Sequence, residues 1–201
     1  MTTKTPGGGS SAGVAAAASA RDRLLSAANE LFYDEGVRAV GIDRVIEHAG
    51  VAKASLYSSF GSKEGLIRGY LAVRHAARRA RLEAKLAAYP TAREKLLGVF
   101  DLLAELTADP TFRGCAFMRA DAEVLPGSAV KEMSDLSRGW FRGVLLDLAQ
   151  QAGATHPERL VRQLVLLYDG VTVAAQMDGN RAAAADARAL AADLIAAAIP
   201  A

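Results

Sequence analysis

The segment between residues 42 and 64 constrains the fold of this chain more than any other. Its first apolar residues recur at the spacing of one helical face: Val45, Ile46 and Ala49. Gly50 follows them, and glycine most readily takes the left-handed backbone that ends a helix. Leu56 and Phe60 are four residues apart, so they share one face of a second helix, predicted over 53–60. The segment therefore predicts two short helices joined by a tight turn.

Two polar residues are expected to cap helices in this segment. Asp43 can cap the first helix, because its carboxylate can accept hydrogen bonds from the amides of the first turn. Ser62 can cap a third helix whose first residue is Lys63. A helix N-terminus that carries a lysine can bind phosphate.

The outer faces of the second short helix carry small and polar side chains. Small residues allow a helix to approach base edges and phosphates in the major groove of DNA. We therefore expect this helix-turn-helix to bind double-stranded DNA. The expected DNA-binding residues are Arg44, Val51, Ala52, Lys53, Ala54, Ser55, Tyr57, Ser58, Ser59 and Lys63.

A family resemblance rests on the same residues. The motifs Ala49-Gly50-Val51, Ser55-Leu56-Tyr57, Phe60 and Ser62-Lys63-Glu64 closely resemble the N-terminal domain of the TetR family of bacterial transcriptional regulators. Upstream, Ala27-Ala28, Leu31-Phe32 and Gly36 fit the first helix of that family, so the resemblance covers about residues 21–66. Two positions depart from the family pattern: Gly41 stands where threonine is frequent, and Ser59 where histidine is frequent.

The resemblance implies an all-α regulator of about nine helices. A disordered tail is expected over 1–19, a helix-turn-helix DNA-binding domain over 20–66, and a ligand-binding and dimerisation domain over 67–201. The family implies a homodimer through the last two helices, which places two recognition helices about 34–36 Å apart on a palindromic operator. It also implies a repressor that a small apolar or amphipathic effector releases from DNA.

Breaker residues and helical spacing predict the remaining helices. They are expected over 62–89, 91–108, 115–124, 128–152 and 157–177, followed by a last helix that has Asp186 in its first turns and ends near Ile199. In the 62–89 helix, we expect the basic side chains to form a solvated face: Arg74, Arg78, Arg79 and Arg81.

Two stripes on the last two helices are candidates for the dimer contact. The first comprises Val161, Leu164, Val165, Tyr168, Val171, Thr172 and Ala175, and the second Ala185, Ala189, Ala192 and Ala196. Small residues permit close helix approach, here by a second copy of the chain.

The second domain also carries candidate ligand-binding residues. They are mostly large and apolar: Phe100, Leu103, Phe112, Cys115, Met118, Trp140, Tyr168 and Met177. Each alone is more typical of a core, but together they favour a sensor cavity attached to the DNA-binding domain. Cys115 is more typical of inert packing than of a reactive thiol, yet a redox sensor that acts through Cys115 remains an alternative.

Charge and composition limit the possible functions. The formal net charge is only +2. Residues 21–62 are not net basic, because six acidic side chains outnumber five basic ones. The basic residues are Arg21, Arg23, Arg38, Arg44 and Lys53, and the acidic ones are Asp22, Glu30, Asp34, Glu35, Asp43 and Glu47. Cations placed on one face must therefore provide the attraction to DNA, which favours a site-specific dimer over a protein that coats DNA non-specifically.

The sequence offers little support for other classes of protein. The one cysteine excludes an internal disulfide and a cysteine-cluster zinc site, and no apolar run suits a membrane span. His48, His75 and His156 have no spacing typical of a catalytic or metal site, so we expect no enzyme, no cofactor and no metal. We expect a cytoplasmic protein. A helical adaptor with a vestigial helix-turn-helix remains a further alternative.

Overall fold

The protein is described by a computed structural model that covers residues 18–125 and 127–200. Within these residues the chain forms helices and their connections, as predicted for an all-α fold. The helices are α1 (Ala20–Glu35), α2 (Ile42–Ala49), α3 (Lys53–Phe60), α4 (Lys63–Leu86), α5 (Ala92–Ala108), α6 (Ala116–Ala122), α7 (Ala129–Gln151), α8 (Pro157–Met177) and α9 (Ala183–Ala198).

The expected disordered tail falls mostly outside the described residues. Its end is described, and the expectation of disorder is wrong at Ser19. The Ser19 side chain accepts a hydrogen bond from the amide of Asp22 at 3.1 Å and caps α1.

Helix caps explain most of the element boundaries. Gly50 ends α2 in the left-handed conformation, with φ 60° and ψ 43°. Ser62 and Ser128 cap α4 and α7, each accepting a hydrogen bond from an amide three residues later. Thr91 and Glu94 form a reciprocal capping box at the start of α5. These local signals lie in the sequence, which is why these boundaries were predictable.

The expected cap at Asp43 is wrong. Helix α2 begins one residue earlier, at Ile42, and its N-cap is Gly41, which has no side chain to bond the first turn. Asp43 therefore lies within the helix, where its carboxylate is exposed and binds Lys53 instead.

Two helices are shorter than predicted. Helix α4 ends at Leu86, because the following residues form a turn in which Tyr89 donates a hydrogen bond to Asp101 at 2.8 Å. Helix α6 spans Ala116–Ala122, with Cys115 as its N-cap.

The buried side chains form two hydrophobic cores. The larger core joins the second half of α4 to α5, α7, α8 and α9. The smaller core holds the helix-turn-helix together, and it also includes Phe117 and Ala120 of α6 and Val130 of α7. Helix α6 is therefore packed into the core of the DNA-binding unit, although it lies far beyond residue 66 in the sequence.

The stripe expected on α8 for dimerisation is wrong. Most of it is buried within the same chain, because α8 packs between α7 and α9: Val161, Leu164, Val165, Val171 and Thr172. The outward side chains of α8 include Leu166, Val173 and Met177, which are 72%, 45% and 74% exposed. On α9, by contrast, Ala185, Ala189 and Ala196 are exposed, and Ala192 is half-buried.

Across 18–125 and 127–200, no helix is both long and apolar enough to cross a membrane. The same residues contain no cluster of histidine, cysteine and carboxylate side chains that could hold a metal ion.

Candidate functional site

The helix-turn-helix presents the outer surface of α3 to solvent. On the inner face of α3, Leu56 is fully buried, and Val45 and Ala49 of α2 are also buried. This packing fixes the inner face of α3 and leaves the opposite side accessible. The exposed residues of this side are Ala52, Lys53, Ala54, Tyr57 and Ser58, while Val51, Ser55 and Ser59 are half-buried.

Two expected DNA-binding cations already have carboxylate partners on this surface. The Lys53 ammonium lies 2.8 Å from a carboxylate oxygen of Asp43, and this hydrogen bond raises the pKa of Lys53. Arg44 binds Glu35 through both terminal nitrogens. Each pair is exposed, so phosphates can compete for both cations.

Lys63 is the first residue of α4, as expected, but its side chain is bound within the chain. Its ammonium donates a hydrogen bond to the carbonyl of Arg38 at 3.3 Å and is half-buried. Burial lowers the pKa of Lys63, and the nearby Glu123 carboxylate opposes that change. Lys63 thus points toward the α1–α2 connection, and it would have to leave Arg38 to reach a phosphate.

Two adjoining cavities lie between α4, α5, α6, α7 and α8. Their volumes are about 310 and 150 Å³, and both are lined by Arg78, Cys115, Phe117, Tyr168 and Thr172. Five of the expected ligand-binding residues line one or both of them: Leu103, Phe112, Cys115, Met118 and Tyr168.

The other three expected ligand-binding residues lie elsewhere. Phe100 is buried in the larger core, and Met177 is 74% exposed near the end of α8. The Trp140 ring lies edge-on to His75, with ring centroids 5.4 Å apart, and does not line either cavity.

Arg78 was expected on a solvated face, and that expectation is wrong. Its guanidinium carbon lies 4.5 Å from the centroid of the Phe141 ring and 5.7 Å from that of Tyr168. One terminal nitrogen donates to the hydroxyl of Ser137 at 3.4 Å. A sequence signal for this position existed, because Arg78 lies four residues before the buried Leu82 and so shares its helical face.

Arg74 also turns inward, whereas Arg79 and Arg81 are exposed as expected. The guanidinium of Arg74 stacks on the ring of Tyr33, 4.0 Å from its centroid, and its buried Nε has no hydrogen-bond partner. It lines the smaller cavity together with Arg78 and Arg81.

The carboxylates of the larger cavity are mostly paired. Asp169 binds both terminal nitrogens of Arg138, which raises the pKa of that arginine, and Asp135 binds Lys131. Asp121 differs, because its Oδ1 is buried without a hydrogen-bond partner.

Hydrogen bonds connect α6 and the residues before it to the DNA-binding unit. Glu123, which follows α6, accepts a hydrogen bond from the amide of Arg38 at 2.7 Å. Tyr33 of α1 donates to the carbonyl of Gly114 at 3.1 Å and accepts from the amide of Arg113 at 2.9 Å. Residues 113–123 therefore both contribute to the cavity walls and bind the helix-turn-helix.

Comparisons with known proteins agree with this architecture. The family model described as "Bacterial regulatory proteins, tetR family" matches residues 24–70. The chain is 49% identical over 53 residues to the HTH-type transcriptional activator FasR of Mycolicibacterium smegmatis, and 43% identical over 47 residues to the HTH-type transcriptional repressor BdcR of Escherichia coli. These matches cover 26% and 23% of this chain, and only 23% and 24% of the two relatives.

A solved structure matches over nearly the whole length. SCO4454, a TetR-family transcriptional regulator from Streptomyces coelicolor, is 31% identical with a TM-score of 0.85, and the match covers 90% of this chain and 96% of that protein. These relatives are transcriptional regulators, which confirms the expectation of a regulator in place of an enzyme. The chain belongs to the TetR family of bacterial transcriptional regulators.

Proposed function

We propose that the protein is a dimeric repressor that binds a palindromic operator through two copies of α3 and acts in the cytoplasm. The exposed face of α3 carries this proposal, since Lys53 and Tyr57 are accessible and no other part of the described chain covers them. Lys53 and Arg44 would exchange their carboxylate partners for phosphates, and Tyr57 would anchor the DNA backbone. The small side chains of Ala52, Ala54, Ser55, Ser58 and Ser59 would allow the helix to approach the bases, with Val51 supporting the turn.

Dimerisation would supply the second recognition helix. One α3 can contact only a few base pairs, and two copies related by a twofold axis can contact successive major grooves. The exposed apolar face of α8, formed by Leu166, Val173 and Met177, lies on one of the last two helices. Together with the exposed alanines of α9, it would form an isologous four-helix contact.

A small effector would control operator binding from the two cavities. Helices α4 and α6 border these cavities and also pack into the core of the helix-turn-helix. A ligand that binds better when these helices have shifted would change the spacing of the two α3 helices and release the operator. The relatives include both an activator and a repressor, and release from DNA by the effector corresponds to repression in the absence of the effector.

A second candidate is sensing through Cys115. This residue is half-buried and lines both cavities, so a change at its sulfur would alter the same walls that a ligand contacts. If Cys115 is the sensor, Cys115→Ser should abolish the response of operator binding to oxidants. If the sensor is the cavity, the substituted protein should still respond to a non-reactive effector.

The test is a mobility-shift assay with the DNA upstream of the protein's own gene. We expect a sequence-specific, salt-sensitive complex that Lys53→Ala and Tyr57→Ala each weaken. Lys53→Ala should also reduce the number of counterions released on binding by about one, which is measured as a shallower dependence of affinity on salt concentration. Lys95→Ala, on α5 in the second domain, is the matched control and should bind as the unmodified protein does. The absence of a specific complex would contradict the proposal.

A further inference from the structure

We propose that the effector is an organic anion with an apolar body, and that its anionic group binds Arg78. This inference rests on the proposed effector-responsive function and specifies the chemical class of the ligand. It follows from the charges and contacts of the residues that line the two cavities.

The smaller cavity has an excess of positive charge. Its charged lining residues are Arg74, Arg78 and Arg81, and no carboxylate lines it. Arg81 is exposed and also lies near Asp109, whose pKa it helps to lower. Arg74 and Arg78 are half-buried, so they are less screened by water and interact more strongly with an anion.

Arg78 has no carboxylate partner among the described ion pairs. Its guanidinium donates a long hydrogen bond to Ser137 and otherwise lies against the aromatic side chains of Phe141 and Tyr168. Arginine presents several donors in a fixed plane that suits the two oxygens of a carboxylate or phosphate. An anion in either cavity could bind Arg78, because this residue lines both.

The carboxylates of the larger cavity do not make it a site for a cation. Asp169 is neutralised by Arg138, and Asp135 by Lys131. Asp121 lies in the field of Lys131, and its free Oδ1 can accept a hydrogen bond from a neutral donor of the ligand. A cationic ligand would instead meet the unpaired charge of Arg78, which is unfavourable.

The remaining walls suit an apolar body of modest size. Leu103, Leu106, Phe112, Phe117 and Tyr168 line the smaller cavity. With the larger cavity beside it, the available space accommodates a ligand the size of an arylalkanoate.

Calorimetric titration of the full chain with three matched probes tests the proposal: 4-phenylbutyrate, 4-phenylbutanamide and 4-phenylbutylamine. We expect the carboxylate to bind at least about tenfold more tightly than the amide, and the amine to bind most weakly. Arg78→Gln should lower the affinity for the carboxylate to that for the amide. Arg79→Gln is the matched control, because Arg79 is exposed, paired with Glu83 and outside both cavities.

Alkylation of Cys115 locates the bound probe, since the chain has one cysteine and it lines both cavities. We expect 4-phenylbutyrate to slow the reaction of Cys115 with N-ethylmaleimide, and to do so less in Arg78→Gln. Thermal denaturation establishes that the substituted protein is folded. Equal affinity for carboxylate and amide, tighter binding of the amine, or no carboxylate binding would overturn the inference. In each case a specific operator complex would leave the proposed DNA-binding function intact.

Discussion

The ion pair between Lys53 and Asp43 lies on the proposed recognition surface. Both side chains are exposed and separated by 2.8 Å, so the pair itself stabilises the fold little. Its effect is on binding, because Lys53 must leave Asp43 before it can contact a phosphate. The free protein thus offers less positive charge than its cations alone would suggest.

Asp43→Asn should therefore strengthen operator binding. The substitution frees Lys53, so we expect a several-fold gain in affinity and a salt dependence steeper by about one ion. Fluorescence anisotropy with labelled DNA at several salt concentrations measures both. Asp147→Asn makes the same charge change at an exposed position of α7, in the second domain. An equal gain with Asp147→Asn would show that only overall charge matters.

Helix α6 connects the cavities to the helix-turn-helix. Phe117 lines both cavities and is also part of the smaller core. Just after the helix, the Glu123 carboxylate holds the amide of Arg38 in the α1–α2 connection. Gly36 suits this position because its backbone has a φ of 95°, and a Cβ there, 2.6 Å from the Glu123 carboxylate, would displace that side chain.

Glu123→Gln should loosen the α1–α2 connection without unfolding the protein. A neutral amide accepts a weaker hydrogen bond than a carboxylate, so we expect a loss of about 1 kcal/mol in unfolding free energy. Hydrogen exchange should become faster around Arg38. Glu132→Gln, an exposed change on α7, serves as control. Unchanged exchange at Arg38 would indicate that Glu123 does not restrain this segment.

The contact between α4 and α7 should depend on pH through His75. Burial lowers the pKa of His75 from 6.5, assisted by Arg79 and Arg78. The unfolded chain therefore binds a proton at His75 more readily than the folded chain does. The stability that comes from holding His75 neutral is complete above about pH 6.5, and it is lost as the pH falls through the lower pKa of the folded state.

His75→Asn should therefore make thermal stability less sensitive to acid between about pH 7.5 and 5.5. His156→Asn, an exposed change just before α8, should retain the pH dependence of the unmodified protein. If the two substitutions behave alike, His75 is not the group responsible.

The predictable elements are those with local sequence signals. Residues such as Gly50 and Ser62 define helix ends through their own backbone or side-chain chemistry, and the structure confirms both. The inward position of Arg78 depends on aromatic rings that α7 and α8 supply from distant sequence. The apolar stripe of α8 is similar in this respect. Its sequence pattern predicts burial, but it does not distinguish burial against α7 and α9 from burial against a second chain.

In the proposed dimer, twofold symmetry supplies the second recognition helix. Leu166→Arg places a charge on the exposed apolar face of α8, so we expect monomers and a large loss of operator affinity. Sedimentation velocity measures the oligomeric state. Leu136→Arg, on an exposed position of α7, should remain dimeric. Dimers in both proteins would place the contact elsewhere.

In the proposed complex, two α3 helices related by twofold symmetry contact successive major grooves. Selection of bound sequences from a random DNA library tests this arrangement. We expect an inverted repeat whose half-site centres are about one helical turn apart, about 34–36 Å, and no enrichment with Lys53→Ala. Enrichment of a single asymmetric site, or of no sequence at all by the unmodified protein, would contradict the claim.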